Sequence, residues 1–343
     1  MNPEWTTFLA AQGFTADGAS QFEHFGPLDA ELQAARNGTV ITPMADLGLI
    51  RASGADAVSF LHNLMTNDIQ GIAETNASTA GFCTPKGRLL AIFLVWRENN
   101  DYLLMLPKEI LPPLLKKLSM YVLRAKVKLT DATDERALIG ISVPAAVSPA
   151  PTFLDGTLPR QGVSETDGGQ LIRLDDTRWL LSLDPIAAIR RWPDITVNAT
   201  ATGLAAWHWL EIAAGQPRVT IATQEVFVPQ MLNLELPAVA GVSFTKGCYP
   251  GQEIVARTHY LGKVKRRMVR ARLTNLVAPG THVYAPEAGD QQCGALVSIA
   301  PSPEGGFECL VSVQSSAVAA GDVRLGAPDG ERLTFLPLPY TLN

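Results

Sequence analysis

Cysteine is scarce: Cys83, Cys248, Cys293 and Cys309 are the only four in 343 residues, and no two form a CxxC pair. Neither a disulfide framework nor a compact zinc site is expected from thiols so sparse and scattered. No apolar run reaches the roughly 18 residues that a membrane-crossing helix needs, so no membrane association is expected. The start, Met1-Asn2-Pro3-Glu4-Trp5, lacks a basic segment followed by an apolar one, so no secretory leader is expected. Together these absences point to a reducing, cytoplasmic setting. An excess of positive charge is also missing. The formal net charge is −5, whereas proteins that coat nucleic acid are usually strongly basic. Charged residues are 18% and hydrophobic residues 47% of the chain, which suits packed globular cores and excludes disorder. The length exceeds one ordinary core, so two or three domains are expected.

What is present concentrates in one stretch, Phe244-Thr245-Lys246-Gly247-Cys248-Tyr249-Pro250-Gly251-Gln252-Glu253-Ile254-Val255-Ala256-Arg257. Gly247 and Gly251 bracket a tight segment, because glycine tolerates positive φ and close backbone approach. Pro250 suits a turn or a helix start. A helix is expected from Gly251 onward, with Ile254 and Val255 inward and Glu253 paired to Arg257 one turn on. Cys248 is the chemical centre. A thiol is a nucleophile or metal ligand only as thiolate, which a neighbouring cation such as Lys246 or a helix N-terminus favours. The alternative is a small apolar cysteine in a structural turn.

Lys-Gly-Cys-Tyr-x-Gly-Gln-Glu-x-x-x-Arg, intact from Lys246 to Arg257, resembles the signature of the YgfZ family. That family is a folate-binding relative of the glycine cleavage T protein, an aminomethyltransferase, and resembles a mitochondrial iron–sulfur assembly factor. Phe227-Val228-Pro229-Gln230-Met231-Leu232-Asn233-Leu234 looks similar to the family as well. Gln230 and Asn233 either meet a polar ligand or satisfy a loop backbone. The resemblance covers about Val40 to Tyr340.

Along the chain, residues 4 to about 35 read as short helices broken at Gly13 and Gly26-Pro27, with Trp5, Phe8, Phe22 and Phe25 as anchors. Thr39–Pro43 and Leu47–Arg51 read as strands. Ser53 is an N-cap candidate for a helix over 53–68. Ser78–Leu90 reads as strand, Pro85-Lys86-Gly87 turn, strand, and Ala91–Trp96 as a buried strand. In the T protein the corresponding strand carries the acid that assists one-carbon transfer. Here the matching positions are Ala91 and Ile92, which cannot take a proton. A β-α-β-β-α-β order between 101 and 199 suggests a ferredoxin-like domain, with a hairpin around Asp175-Asp176-Thr177 and a short helix over Pro185–Trp192. From Lys263 a basic strand (Lys263, Lys265, Arg266, Arg267, Arg270, Arg272) opens a series of short strands that suggests a small β-barrel. Its charges either touch RNA phosphates or form a solvated barrel face, the second being favoured.

The resemblance implies an α+β, three-domain T-protein-like fold around a central cavity. The expected layout is an N-terminal helical extension over 1–38, a discontinuous folate-binding-like domain over 39–100 and 200–260, the ferredoxin-like domain over 101–199, and a C-terminal β-barrel over 261–343. It implies tetrahydrofolate as cofactor, with Trp207 as a stacking surface; Trp207 and Trp209 as core aromatics is the alternative. Two departures weigh against folate. The glutamate expected before Ala-Gly is Ala213 here, with Glu211 facing elsewhere, and a family tryptophan is replaced near Leu47. The implied function is support of iron–sulfur cluster assembly or repair, including for enzymes that modify tRNA. Iron–sulfur proteins or their assembly machinery would be partners, and any contact with tRNA indirect or weak. Cys248 and Lys246 would do the chemistry. Tyr249, Gln252, Glu253 and Arg257, with Trp207, Gln230 and Asn233, would shape the site. The alternatives are a folate-dependent aminomethyltransferase and a non-catalytic sensor of folate or another planar ligand.

Overall fold

The computed structural model describes residues 1–15, 23–147, 151–260, 264–289 and 291–342. Phe22, Lys263 and residues 148–150 lie outside the described residues. The chain divides into two compact units. One comprises Met1–Ala57, Ile72–Ser78 and Leu94–Leu210; the other comprises Val58–Gly71, Thr79–Phe93 and Glu211–Asn343. The expected 101–199 segment lies wholly in the first and the 261–343 segment wholly in the second, while 39–100 and 200–260 are shared between them.

The first unit is built on a six-stranded sheet ordered Thr200–Ala201, Val40–Pro43, Ala137–Ser142, Arg178–Leu183, Gly169–Arg173, Val163–Thr166. Its middle strands are hydrophobic at nearly every position because both faces are covered. Ala137–Ser142 and Arg178–Leu183 are buried along their whole length, and alternate residues of a strand point to opposite faces. Ile139, Ile141, Leu181 and Leu183 meet Trp5, Leu9, Trp192 and Ile195 from the helices Pro3–Ala11 and Pro185–Thr196. The Trp5 and Trp192 rings meet edge to face at 5.5 Å, so the aromatic anchor of the N-terminal segment is real. Leu138, Leu180 and Ile172 face Leu47, Leu49, Trp96 and Trp207. Glu31 is buried because three backbone N–H groups, of Phe25, Gly26 and Gly203, donate to its carboxylate at 2.7–2.9 Å.

Beside this, Leu47–Ser53 pairs with Asp101–Pro107 and with Lys128–Asp131, and Asp101–Pro107 pairs in turn with Leu94–Glu98. The strands between 101 and 199 are therefore divided over two sheets, with Val163–Thr166 an addition to the expected order. Ser53 is not a helix cap. It remains in the strand, paired with Lys128, and the helix begins at Ala57. The helix expected over Pro185–Trp192 runs on to Thr196, through Pro193.

The second unit carries a seven-stranded antiparallel sheet ordered Glu331–Arg332, Arg324–Leu325, His282–Tyr284, Gln292–Pro301, Phe307–Gln314, Arg266–Leu273, Thr334–Leu336. Its two edge strands are neighbours in the chain, separated by Leu333 alone, so the sheet curls into a nearly closed barrel. Val269, Ala271, Leu273, Cys309, Val311 and Val313 fill the inside. The charges of the basic strand are largely paired: Arg267 meets Glu235, Arg270 meets Glu308, and Arg272 meets Glu304 at 2.8 Å.

The packing of Trp207 on the six-stranded sheet gives a stability test. A Cβ added at Gly140 would lie 2.6–2.7 Å from three atoms of the buried Trp207 ring. Gly140→Ala is expected to lower stability by about 1–3 kcal/mol, the usual range for overpacking, read as a lower denaturant midpoint. An unchanged midpoint would mean that the indole can move aside.

Candidate functional site

The cysteine loop lies in the second unit, where several short-range contacts fix its path. Thr66 Oγ1 donates to Gly241 O at 2.6 Å and accepts from Gly81 N–H at 2.7 Å. Asn67 Nδ2 donates to Thr79 O and Ala240 O at 2.9 and 2.7 Å. Ser243 N–H donates to Thr66 O at 2.9 Å. Thr66 and Asn67, directly after the helix Ala57–Leu64, thus tie the strand Ser78–Cys83 to the approach to the loop. Sequence reading missed both residues. Their only local signal is a run of small polar side chains following an apolar helix, and the partners are distant in the chain.

Lys246 enters the same helix end. Its ammonium donates to His62 O and Met65 O, the second at 2.6 Å, and lies 4.9 Å from the centre of the Tyr249 ring. A cation on the last carbonyls of a helix satisfies unpaired acceptors and complements the helix dipole. Burial pushes the Lys246 ammonium down from 10.5 to about 8, against the opposing pull of Asp68 and Cys248. The lysine is therefore a structural cap whose charge also reaches Cys248.

Cys248 is exposed and unpaired, whereas Cys83, Cys293 and Cys309 are buried. The contrast is chemical. Burial raises the Cys83 thiol to about 12 and lifts Cys309 further, so both stay protonated at neutral pH and out of reach. Tyr249, the next residue after Cys248, is buried, and burial, with a smaller push from Cys83, raises its hydroxyl well above the usual range. The loop thus turns one side chain in and its neighbour out.

Gly251 makes the bend that follows. It has φ +83°, and an added Cβ would lie 2.5 Å from Thr84 O and 2.6 Å from Gly87 Cα. Gly247 has neither constraint, since nothing lies within 4 Å of an added Cβ and its φ is ordinary. Of the two bracketing glycines, only Gly251 is demanded by the backbone. The helix Gln252–Tyr260 starts where expected, with Gln252 N–H donating to Tyr249 O at 3.1 Å. Val255 is buried, but Ile254 is 40% exposed and does not point inward as the sequence suggested. Glu253 and Arg257 are both exposed and make no ion pair with each other among the described residues, so they do not brace the loop. At the far end of the helix, the His259 ring stacks on Phe244 at 3.8 Å.

The remaining candidates serve the backbone or the core. Gln230 and Asn233 are fully buried. Gln230 Nε2 donates to Val255 O at 2.7 Å, and Asn233 Nδ2 donates to Met268 O at 2.8 Å while its Oδ1 accepts from Met268 N–H at 3.2 Å. Both side-chain amides thus donate to backbone, while the buried Gln230 Oε1 has no partner among the described residues. Trp207 belongs to the first unit, is 1% exposed, and packs against Gly140 with the Arg178 guanidinium 5.6 Å from its ring. It sits as a core aromatic. Glu211 pairs with Arg218 at 3.3 Å. No group of three or more potential metal ligands occurs among the described residues, and no helix among them is long and apolar enough to cross a membrane.

This architecture is that of the glycine cleavage T protein. The fold matches aminomethyltransferase T of the glycine cleavage system from Bartonella henselae with a TM-score of 0.74 at 15% identity, over 100% of this chain and 98% of that one. Residues 6–154 match the GCVT N-terminal domain family. The chain is 30% identical over 313 residues to the tRNA-modifying protein YgfZ of Photobacterium profundum, covering 87% of this chain and 90% of the relative. It is 29% identical over 310 residues to the protein of that name from Vibrio atlanticus, covering 89% and 93%. The chain belongs to the YgfZ family.

Two measurements test the loop. Gly251→Ala combines a left-handed backbone with a backbone clash and is expected to cost about 2–4 kcal/mol, while Gly247→Ala changes stability by less than about 0.5 kcal/mol. Equal effects would remove the distinction between them. The second is the titration of Lys246, followed by NMR after reductive methylation with a labelled methyl group. Its midpoint is expected near 8, below the ordinary 10.5. Because the folded chain gives up this proton first, the group's contribution to stability rises with pH between about 8 and 10.5 and is gone once pH has fallen through about 8. A midpoint near 10.5 would contradict the desolvated cap.

Proposed function

We propose that this protein supports tRNA modification as an accessory factor for iron–sulfur enzymes, acting through the thiol of Cys248. The observation that carries this reading is the exposure of Cys248 on a loop whose neighbouring side chains are anchored, while the other three cysteines are buried. The name of its relatives, tRNA-modifying protein YgfZ, supports the biological process. The lack of an acid at Ala91 and Ile92 argues against aminomethyl transfer, which needs a group to handle the amine and its proton.

In the proposed role the cluster is cargo. Cys248 releases its proton to solvent and its sulfur donates an electron pair to one cluster iron, with no change of oxidation state. One thiolate cannot retain a cluster that ordinarily takes four ligands, so the others come from the client protein, and the contact is transient. Lys246 places a positive charge near the loop that carries the sulfur. Tetrahydrofolate is the proposed small ligand, on the strength of the T-protein-like fold. With Trp207 enclosed in the core of its own unit, contacts other than an open indole face would hold it.

The test replaces Cys248 with Ala in a strain whose own copy is deleted, and measures tRNA modification by iron–sulfur enzymes. Modification is expected to fall to the level of the deletion strain, while the purified variant unfolds within about 0.5 kcal/mol of wild type, as for a surface change. Full restoration by the alanine variant would sink the proposed role of the thiol.

A further inference from the structure

We propose a second site in the same unit: a cleft of about 440 Å³ that binds a phosphate group, carried by a phosphorylated small molecule or by an RNA backbone. It is lined by none of the residues from Phe244 to Arg257, so the site stands apart from the role of Cys248. Its volume falls within the roughly 300–1,000 Å³ of small-molecule sites.

The charge of the cleft opposes that of the protein. Lys86, Arg88 and Arg266 line it with His282, against one carboxylate, Glu225, in a chain whose net charge is −5. These cations differ from their neighbours in the barrel. Arg267, Arg270 and Arg272 each meet a carboxylate. Among the described residues, the Arg266 side chain reaches only Gln292 O at 3.3 Å, the Arg88 side chain only Val226 O at 2.5 Å, and Lys86 makes no ion pair. Three gathered cations facing a single carboxylate suit an anion, and guanidinium groups match the geometry of phosphate oxygens.

A buried hydroxyl gives the independent observation. Ser312 lines the cleft, is 1% exposed, and its Oγ has no hydrogen-bond partner among the described residues. In the antiparallel register Ser312 lies opposite Met268 and Ala295. Strand alternation then puts it on the Arg266 face, away from Val311 and Val313, which fill the barrel. Leaving a buried hydroxyl unpaired is unfavourable, and a phosphate oxygen held by the cations would accept its hydrogen bond. Lys86 and Arg88 flank Gly87, whose Cα is the atom against which Gly251 packs, so an anion there would also steady the turn beneath the cysteine loop.

The test uses the full chain with three probes: inorganic pyrophosphate, adenosine 5′-monophosphate, and a fluorescein-labelled single-stranded oligoribonucleotide. Calorimetry and fluorescence anisotropy read the affinities. Saturable binding of at least one probe is expected, falling between about 50 and about 200 mM salt. The double change Lys86→Gln, Arg266→Gln is expected to weaken it by about tenfold or more, while Glu225→Gln strengthens it, a gain that misfolding would not produce. Tighter and more salt-sensitive binding of the oligonucleotide supports the RNA backbone as the source. Binding of the mononucleotide as tight or tighter supports a phosphorylated small molecule. The absence of saturable binding for all three probes, or equal affinity of the double variant and wild type, overturns the site.

Discussion

Everything at the cysteine loop depends on two turns of backbone meeting without side chains between them. Gly251 places its own Cα against Gly87 and Thr84 at distances where a Cβ would collide. The contact is possible because Gly251 lacks that atom, and both glycines take a positive φ, +83° at Gly251 and +70° at Gly87. It sets the start of the helix Gln252–Tyr260, and so the point at which the loop from Phe244 must end. Remove the contact and the loop has no fixed exit.

The entrance is fixed by a different kind of force. Thr66 and Asn67 hold the chain at Ala240 to Ser243 through neutral hydrogen bonds, and Lys246 then plants a charge on the last carbonyls of the helix Ala57–Leu64. Desolvating that ammonium is unfavourable, as its lowered proton affinity shows. The carbonyls, the helix dipole and the Tyr249 ring offset the penalty. With entrance and exit both anchored, the side chains between them have defined directions: Lys246 and Tyr249 inward, Cys248 to solvent. Exposure of the thiol is a consequence of what its neighbours bury.

The sequence carried the linear part of this arrangement and not the part made across the chain. The Lys246–Arg257 motif could be read because its residues are consecutive, and the strands because apolar runs such as Ala137–Ser142 report burial on both faces. Ile254 was misread because an inward direction was assigned from helical phase alone, and the phase that buries Val255 leaves Ile254 at the surface. Glu253 and Arg257 have the spacing for an ion pair, yet exposed pairs are worth little and need not form. Ser53 has the chemistry of a cap but is held in a strand by its pairing with Lys128, a partner no local pattern announces. Gln230 and Asn233, polar in an apolar run, could be read either as ligand contacts or as backbone partners. Their bonds to Val255 and Met268 are made across the chain, where no local pattern announces them.

The same distinction between polar groups that are satisfied and polar groups that are not divides the barrel's cations into two sets. A buried or half-buried cation is held in place by its counter-ion, so Arg267, Arg270 and Arg272 are accounted for by Glu235, Glu304 and Glu308. Among the described residues no counter-ion pairs with Arg266 or Lys86 and no group bonds the Ser312 hydroxyl, and all three line one cleft. A fold that pairs its charges this consistently along one strand would gain by pairing the rest, unless the unpaired ones have an occupant that arrives from outside. By the balance of donors and acceptors alone, a T-protein-like scaffold presents two chemically distinct features in one unit: an exposed sulfur, and a cationic cleft lined by Lys86 and Arg88, the neighbours of Gly87.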